Sequence, residues 1–258
     1  FEIAYGNETG GGALAFNEVA APGVSPTSTI FGQYRTLVLE DENSSFVFGG
    51  VTGSSIYALS IERAAYKQSL FPGSMDLTLV ANGVTITLTD DSGMVNVPTY
   101  YGSMRAYQII SGSNGIAATN TANRTTSEGY AAVSGSYGLF LPDIGTILLN
   151  GNALDNAAAD GGILLGTDET TNTAADNPQK MFDAIVSGES FALNSEETIT
   201  SDFVFVRARN SEFNYSENPS YISGSTGEVI YDYFINNPQT YMTSIGLYND
   251  SNELLAVA

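Results

Sequence analysis

Asp90-Asp91, Glu196-Glu197 and Glu40-Asp41-Glu42 are the acidic runs from which acid–base chemistry could be built in this sequence. A glycosidase sets two carboxylates several ångströms apart across a cleft, one to donate a proton and one to act as base or nucleophile. No spacing here marks such a pair, and neighbouring acids in turns are ordinarily solvated. The chain has no His and no Cys, which removes the Ser-His-Asp triad, the Cys-His dyad, a thiolate nucleophile and the zinc finger. A protein without enzymatic activity is expected. Asn150-Gly151-Asn152, with Asp155 and Asp160, offers the hard oxygen ligands that calcium takes. It lacks the full EF-hand spacing and the closing bidentate Glu, and Asn-Gly is an ordinary turn pair. No metal and no other cofactor is expected.

Arg207 and Arg209 place two of only eight basic residues on one face of an alternating segment. They suit an inter-subunit clamp on a carboxylate-rich neighbour. They equally suit local pairing with Glu212, Glu217 or Glu228, which contributes little at a surface. The Asn-x-Ser/Thr triplets at Asn7, Asn43, Asn123, Asn214 and Asn249 are expected by chance in a chain this rich in Asn, Ser and Thr.

The elements that must position these residues are mostly strands. The 258 residues suffice for one large β domain or two smaller ones. Hydrophobic residues make up 43% and charged ones 14%, so Ser, Thr, Asn and the 27 Gly supply most of the surface and turns. Lys and Arg number 8 against 28 Asp and Glu, a net charge of -20. That charge repels phosphate backbones and anionic lipid, so neither nucleic acid nor membrane is an expected partner. No apolar run approaches the roughly 18 residues that read as a spanning helix.

Residues 75–91 give the clearest local reading. Asn82-Gly83 is the preferred pair for a two-residue type I′ turn. The turn sets Leu79 opposite Ile86, Leu77 opposite Leu88 and Ala81 opposite Val84, all on one face, with threonines on the other. Residues 30–39, 55–61, 104–110, 144–149, 198–209, 228–235 and 240–248 read as further strands. Residues 62–73 read as a helix of two to three turns, and 178–187 as a short helix with Met181, Phe182 and Ile185 on one side. Asn150-Gly151 reads as a second turn. Residues 111–136 and 156–177 are loose in composition, and 210–228 reads as an extended loop. The expected fold is mainly β: antiparallel sheets, sandwich-like, with one or two short helices. The expected regions are 1–113, a Gly/Ser/Asn-rich boundary at 114–135, and 136–258, or all of these as one continuous domain.

At the C-terminal end, Asp250-Ser251 is expected to close a hairpin. Leu247 would oppose Leu254, and Ile245 would oppose Ala256. Leu255 and Val257 would then lie beside Gly246 and Ser244, so the last strand is apolar on both sides. Such a strand needs cover, from a partner or from chain continuing past Ala258. Leu255 and Val257 are therefore interface candidates, alongside Arg207 and Arg209.

The segment NPQTYMTSIGLYNDSNELLAVA resembles a C-terminal hairpin of virion structural proteins from contractile-tailed, marine myovirus-like bacteriophages, and more loosely one in their tail-fibre proteins. The resemblance extends to PGVSPTSTIFGQYRTLVLEDEN, ALSIERAAYKQSLFPGS, SYGLFLPDIGTILLNG and LNSEETITSDFVFVRARNSEFNYSENPSYISGSTGE, and so touches most of the chain. It implies a non-enzymatic assembly subunit of the virion, in the tail or baseplate or else decorating the capsid surface. The implied partners are other virion structural proteins and copies of itself. It brings no catalytic residues. Two other readings stay open: a calcium- or glycan-binding β module of a fibre or cell surface, and a capsule-degrading glycosidase. The purified chain is expected to show no turnover on polysaccharides, peptides or phosphoesters. Measurable turnover abolished by one Asp or Glu replacement would reverse that expectation.

Overall fold

The computed structural model describes residues 1–12, 25–118, 132–167, 175–203, 205, 207, 209, 215–237 and 244–258. The chain divides into two units, Phe1–Ile199 and Thr200–Ala258. The first contains strands β1 (Glu2–Asn7), β2 (Phe46–Phe48), β3 (Val51–Gly53), β4 (Ser55–Ser60), β5 (Ser69–Leu70), β6 (Asp76–Ala81) and β7 (Val84–Asp90). It continues with β8 (Thr99–Tyr101), β9 (Met104–Ser113), β10 (Ile116–Ala117), β11 (Gly138–Leu141), β12 (Thr146–Asn150), β13 (Phe191–Ala192) and β14 (Ser195–Glu196). Its helices are α1 (Pro26–Leu39), α2 (Gly151–Asp155) and α3 (Asp176–Gly188). The fold is mainly β.

Asn82 (φ 51) and Gly83 (φ 75) both take left-handed backbone, as a type I′ turn requires. The register follows from the turn: Leu77 pairs with Leu88, Leu79 with Ile86, and Ala81 with Val84. Leu77, Leu79 and Leu88 are buried, and the other three pack against the same core. The side chain of Asn82 also donates to the carbonyls of Ile163 (3.1 Å) and Leu164 (2.7 Å), tying the turn to a distant loop.

From this hairpin one antiparallel sheet runs in the order β1-β4-β12-β11-β9-β7-β6-β13, with β8 and β10 paired to β9 beside the main path. Strand β4 pairs with β12, and β9 with β11, so strands from both sides of residues 114–135 share this sheet. Residues 119–131 of that stretch lie outside the described residues.

Side chains alternate across the central strands, and both faces are buried. Tyr57, Leu59, Ile147 and Leu149 join Leu77 and Leu79 on one face, under Leu154 of α2 and Met181, Ala184 and Ile185 of α3. Ile56, Ala58, Leu139, Leu141 and Leu148 form the other face, under Phe31 and Val38 of α1 and Phe46 and Phe48 of β2. The rings of Phe31 and Phe46 meet edge to face at 5.4 Å.

The sheet curls, and α3 packs against both β6 and β1, which lie near opposite ends of the strand order. Phe1 and Phe191 meet edge to face at 5.1 Å across the same interval. The contact between α3 and β6 depends on Gly188, where a Cβ would lie 1.9 Å from the carbonyl oxygen of Thr78.

Several local expectations are corrected. Residues 30–39 are helical, inside α1. Ser25 caps that helix by accepting from the Ser28 amide (3.3 Å), Pro26 opens it, and Glu40 ends it in left-handed backbone. Thr27, Phe31 and Val38 form its buried stripe. The β-branched composition suggested a strand, but the cap and the helical spacing prevail. Residues 62–73 hold only a 3-10 turn at Arg63–Ala65, followed by β5. Tyr66 and Leu70 turn into the core, and Arg63 lies 4.7 Å from the Tyr66 ring centre, so tertiary packing overrides the helix formers. Asn150-Gly151 starts α2 instead of a turn, with the Asn150 side chain accepting from the Ala153 amide (3.4 Å). In α3, Met181 and Ile185 face the core while Phe182 is exposed.

The second unit, taken by itself, holds α4 (Asp232–Asn236), β15 (Gly246–Tyr248) and β16 (Leu254–Val257). The strand expected over 228–235 is largely α4, preceded by one bridge between Ile222 and Val229. Tyr221 packs on Tyr231 (5.4 Å) and on the buried Phe234 (5.7 Å). The C-terminal hairpin forms, but in another register: Leu247 pairs with Ala256, Gly246 with Val257, and Tyr248 with Leu254. The cause is a five-residue loop built on Asn249, whose side-chain oxygen accepts from the amides of Ser251 (3.0 Å) and Glu253 (2.9 Å). Leu255 falls at the resulting irregularity, between the paired Leu254 and Ala256.

Tyr137, immediately before β11, is 1% exposed and donates its hydroxyl to the Gly161 carbonyl at 2.6 Å. Burial pushes its phenol up to about 12. The folded state thus holds this proton more tightly than the unfolded chain, whose tyrosines ionise near pH 10. The associated stability is complete below about pH 10 and is lost as pH rises toward 12. Ultraviolet titration of the folded protein should show a tyrosinate step near pH 12 that the Tyr137→Phe variant lacks.

Candidate functional site

The acidic pair at the end of β7 is turned inward, away from solvent. Both carboxylate oxygens of the fully buried Asp90 accept from the Gly73 amide, at 2.9 and 2.8 Å, and one also accepts from the Ser92 amide at 3.1 Å. Next to it, the Thr89 hydroxyl oxygen accepts from the Gly115 amide at 2.7 Å. Asp91 accepts from the Gln108 amide at 2.9 Å. Three turns, at Gly73, Gly93 and Gly115, are drawn together by this cluster. A Cβ on Gly93 would sit 2.7 Å from the Gly115 carbonyl, and one on Gly115 would sit 3.2 Å from the Gly73 Cα. Gly73 (φ 85) and Gly115 (φ 72) also hold backbone that side chains rarely allow. Asp90-Asp91 organises these three turns.

The turns wall one side of a cleft of about 590 Å³, open to solvent. Phe71 and Ile116 line it, with Tyr107, Asn114, Arg105 and Glu196. Arg105, on β9, donates through Nε (3.0 Å) and Nη2 (2.7 Å) to one oxygen of Asp143, while its own backbone amide donates to the other (2.8 Å). Nη2 also reaches Glu196 (3.1 Å) and the hydroxyl of Ser69 (3.0 Å). The hydrogen bonds that Arg105 donates to Asp143 are the foremost cause holding its guanidinium well above its ordinary range. One cation between two carboxylates leaves the cluster with one net negative charge. The arrangement gives the cleft a fixed polar floor beside exposed apolar walls.

Sequence reasoning found Glu196 but not its partners. Arg105, Asp143 and Ser69 are brought to it by separate strands and a 3-10 turn, and no local spacing signals them. Glu197 pairs instead with Lys67, and both side chains are exposed. In the third acidic run, Asp41 accepts from the Asn43 amide (2.9 Å) and the Ser44 hydroxyl (2.7 Å). These bonds, the Asn43 amide foremost, hold its carboxyl below the usual range. Glu40 caps α1 with its backbone.

The oxygen-rich loop after β12 is likewise engaged. Asn150 donates to the carbonyls of Ser134 and Ser136, both at 3.0 Å. The Asn152 side-chain oxygen accepts from the amides of Ser54 (3.0 Å) and Ser55 (3.3 Å), and Asp155 accepts from the amide and hydroxyl of Thr167. Asp160 closes a separate 3-10 turn, Ala158–Asp160. Among the described residues, no group of three or more acidic, His or Cys side chains converges on a point.

The remaining candidates lie in the second unit. Arg207 and Arg209 are exposed, as are Phe203 and Phe205, and none of these four is in a strand. Val204, Val206, Ala208 and Glu212 lie outside the described residues. Leu255 (67%) and Val257 (63%) are exposed within this chain. In comparison with known proteins, no protein family, curated protein or solved structure matches the chain.

Replacing Asp90 with Ala leaves the half-buried Gly73 and Ser92 amides without their charged acceptor, and should cost about 1.5–3 kcal/mol. Glu197→Gln, at the exposed Lys67 pair, should change stability by less than about 1 kcal/mol. Denaturant midpoints at unchanged slope would measure both, and equal effects would reverse the assignment of Asp90 as the anchor.

Proposed function

We propose that this chain is a structural subunit of a bacteriophage particle, placed in the tail or baseplate, and that it works by burying surface against neighbouring subunits. The observation that supports this reading is the C-terminal hairpin. Leu254, Leu255 and Val257 on β16 and Tyr248 on β15 are all exposed, and among the described residues the sheet consists of these two strands. An isolated two-stranded hairpin is at best marginally stable in water, and an uncharged apolar edge strand invites pairing. A neighbour that covers it removes both difficulties. A specific contact of this kind needs about 1,000 Å² or more of buried surface, more than one hairpin strand supplies. The rest of the unit therefore contributes too.

The resemblance of the hairpin and four further segments to virion structural proteins supports the same reading. The acidic runs fit it as well, because Asp90, Asp91, Asp41 and Glu196 are committed to hydrogen bonds that hold turns and strands.

Replacing Val257 with Asp should lower the yield or stability of assembled particles, since covering an unpaired carboxylate is costly. Ser251→Ala, in the exposed loop, should leave them unchanged. Normal particles carrying Val257→Asp, or purified tailed particles that lack the chain by mass spectrometry, would overturn the proposal.

A further inference from the structure

Two neighbouring side chains of β9 meet solvent in the cleft. Arg105 and Tyr107, two positions apart, lie on the same face of the strand. Tyr107 is 9% exposed and its ring belongs to the core, yet its hydroxyl makes no hydrogen bond among the described residues. Burial foremost pushes its phenol up, so at neutral pH the group keeps its proton and can both donate and accept. Glu196 supplies a second polar group. Arg105 and the Ser69 hydroxyl hold one of its carboxylate oxygens, both at 3.1 Å. The other oxygen has no partner among the described residues.

Apolar walls flank these groups. Phe71 is 50% exposed and Ile116 72%, and both sit on pinned backbone. The Phe71 amide donates to the Asn194 carbonyl at 2.8 Å, and Ile116 pairs with Ser113 of β9. At about 590 Å³ the cleft falls within the roughly 300–1,000 Å³ of small-ligand sites. Charge narrows what it can hold. A cation would find Glu196 already paired with Arg105, and an anion would meet two carboxylates against one guanidinium. A neutral ligand with hydroxyls on its rim and C–H groups on its face suits both features. Its hydroxyls can donate to the free carboxylate oxygen while its C–H face stacks on the Phe71 ring. A pyranose sugar has that form. We propose that the Phe71–Tyr107–Glu196 cleft binds a neutral saccharide. Among the described residues Glu196 is the one carboxylate lining the cleft, whereas hydrolysis takes two, so the site holds sugar without cleaving it. The site lies wholly within the first unit and goes beyond the assembly reading, on which it does not rest.

Saturation-transfer-difference NMR on the full chain tests the site. The neutral probes are cellotriose, maltotriose, mannotriose and tri-N-acetylchitotriose, and the charged ones are sialyllactose and choline. At least one neutral probe should take up saturation at its ring protons, above both charged probes. Phe71→Ala should weaken that binding several-fold by removing the stacking ring. Tyr107→Phe should weaken it too, while keeping the buried ring in place. Phe182→Ala, which removes an exposed ring from α3, should leave it unchanged, and circular dichroism of each variant should match the parent. Four results would each overturn the saccharide site: saturation of no neutral probe, stronger saturation of a charged one, binding that survives Phe71→Ala or Tyr107→Phe, or an equal loss in Phe182→Ala. None of them bears on the assembly reading, which the Val257→Asp particles test.

Discussion

Strands β4 and β12 are apolar on both faces, and this constraint shapes the rest of the first unit. A two-sided sheet needs two covers. On one side α1 and the β2–β3 hairpin supply Phe31, Phe46 and Phe48, and on the other α2 and α3 supply Leu154, Met181 and Ile185. Curling concentrates the second cover, so one thirteen-residue helix reaches both ends of the strand order. The polar features follow from the same constraint. Turns that border a dry core need acceptors for their amides, and Thr89, Asp90 and Asn150 provide them from strand ends.

What could be read in the sequence was what local chemistry decides. Asn82-Gly83 fixed a turn, the turn fixed a register, and alternation then assigned every side chain of that hairpin to a face. Residues 55–61 and 104–110, read as strands, correspond to β4 and β9. Local reading failed where two local signals competed. Residues 30–39 have strand composition, but Ser25-Pro26 is a helix start, and a capped N-terminus with Thr27, Phe31 and Val38 on one stripe prevailed. It failed again at Asp250-Ser251, where the Asn249 side chain organises a longer loop than the turn pair suggested.

The candidate site was legible in part. Acidic runs are visible in any sequence, but whether a carboxylate faces solvent, a cation or a turn amide depends on partners brought from elsewhere. Arg105 meets Asp143 from 38 positions away and Glu196 from 91. Leu255 and Val257 were singled out for a different reason, the apolar character of both sides of the last strand, and both are exposed within this chain.

The meeting of Phe1 with Phe191, and of α3 with β1, bears on how the chain reaches its fold. The contacts that complete the sheet join its first residues to ones nearly two hundred positions later, and closing loops of that length is slow. During synthesis, β1 and β4 can pair early beside α1, yet the face that carries Tyr57 and Leu59 lacks its α3 cover until that helix leaves the ribosome. For that interval the nascent chain presents Tyr57 and Leu59 to whatever surrounds it. A sequence with 28 acidic residues keeps such intermediates apart by mutual repulsion, so its charge guards the path to the fold as well as the finished surface.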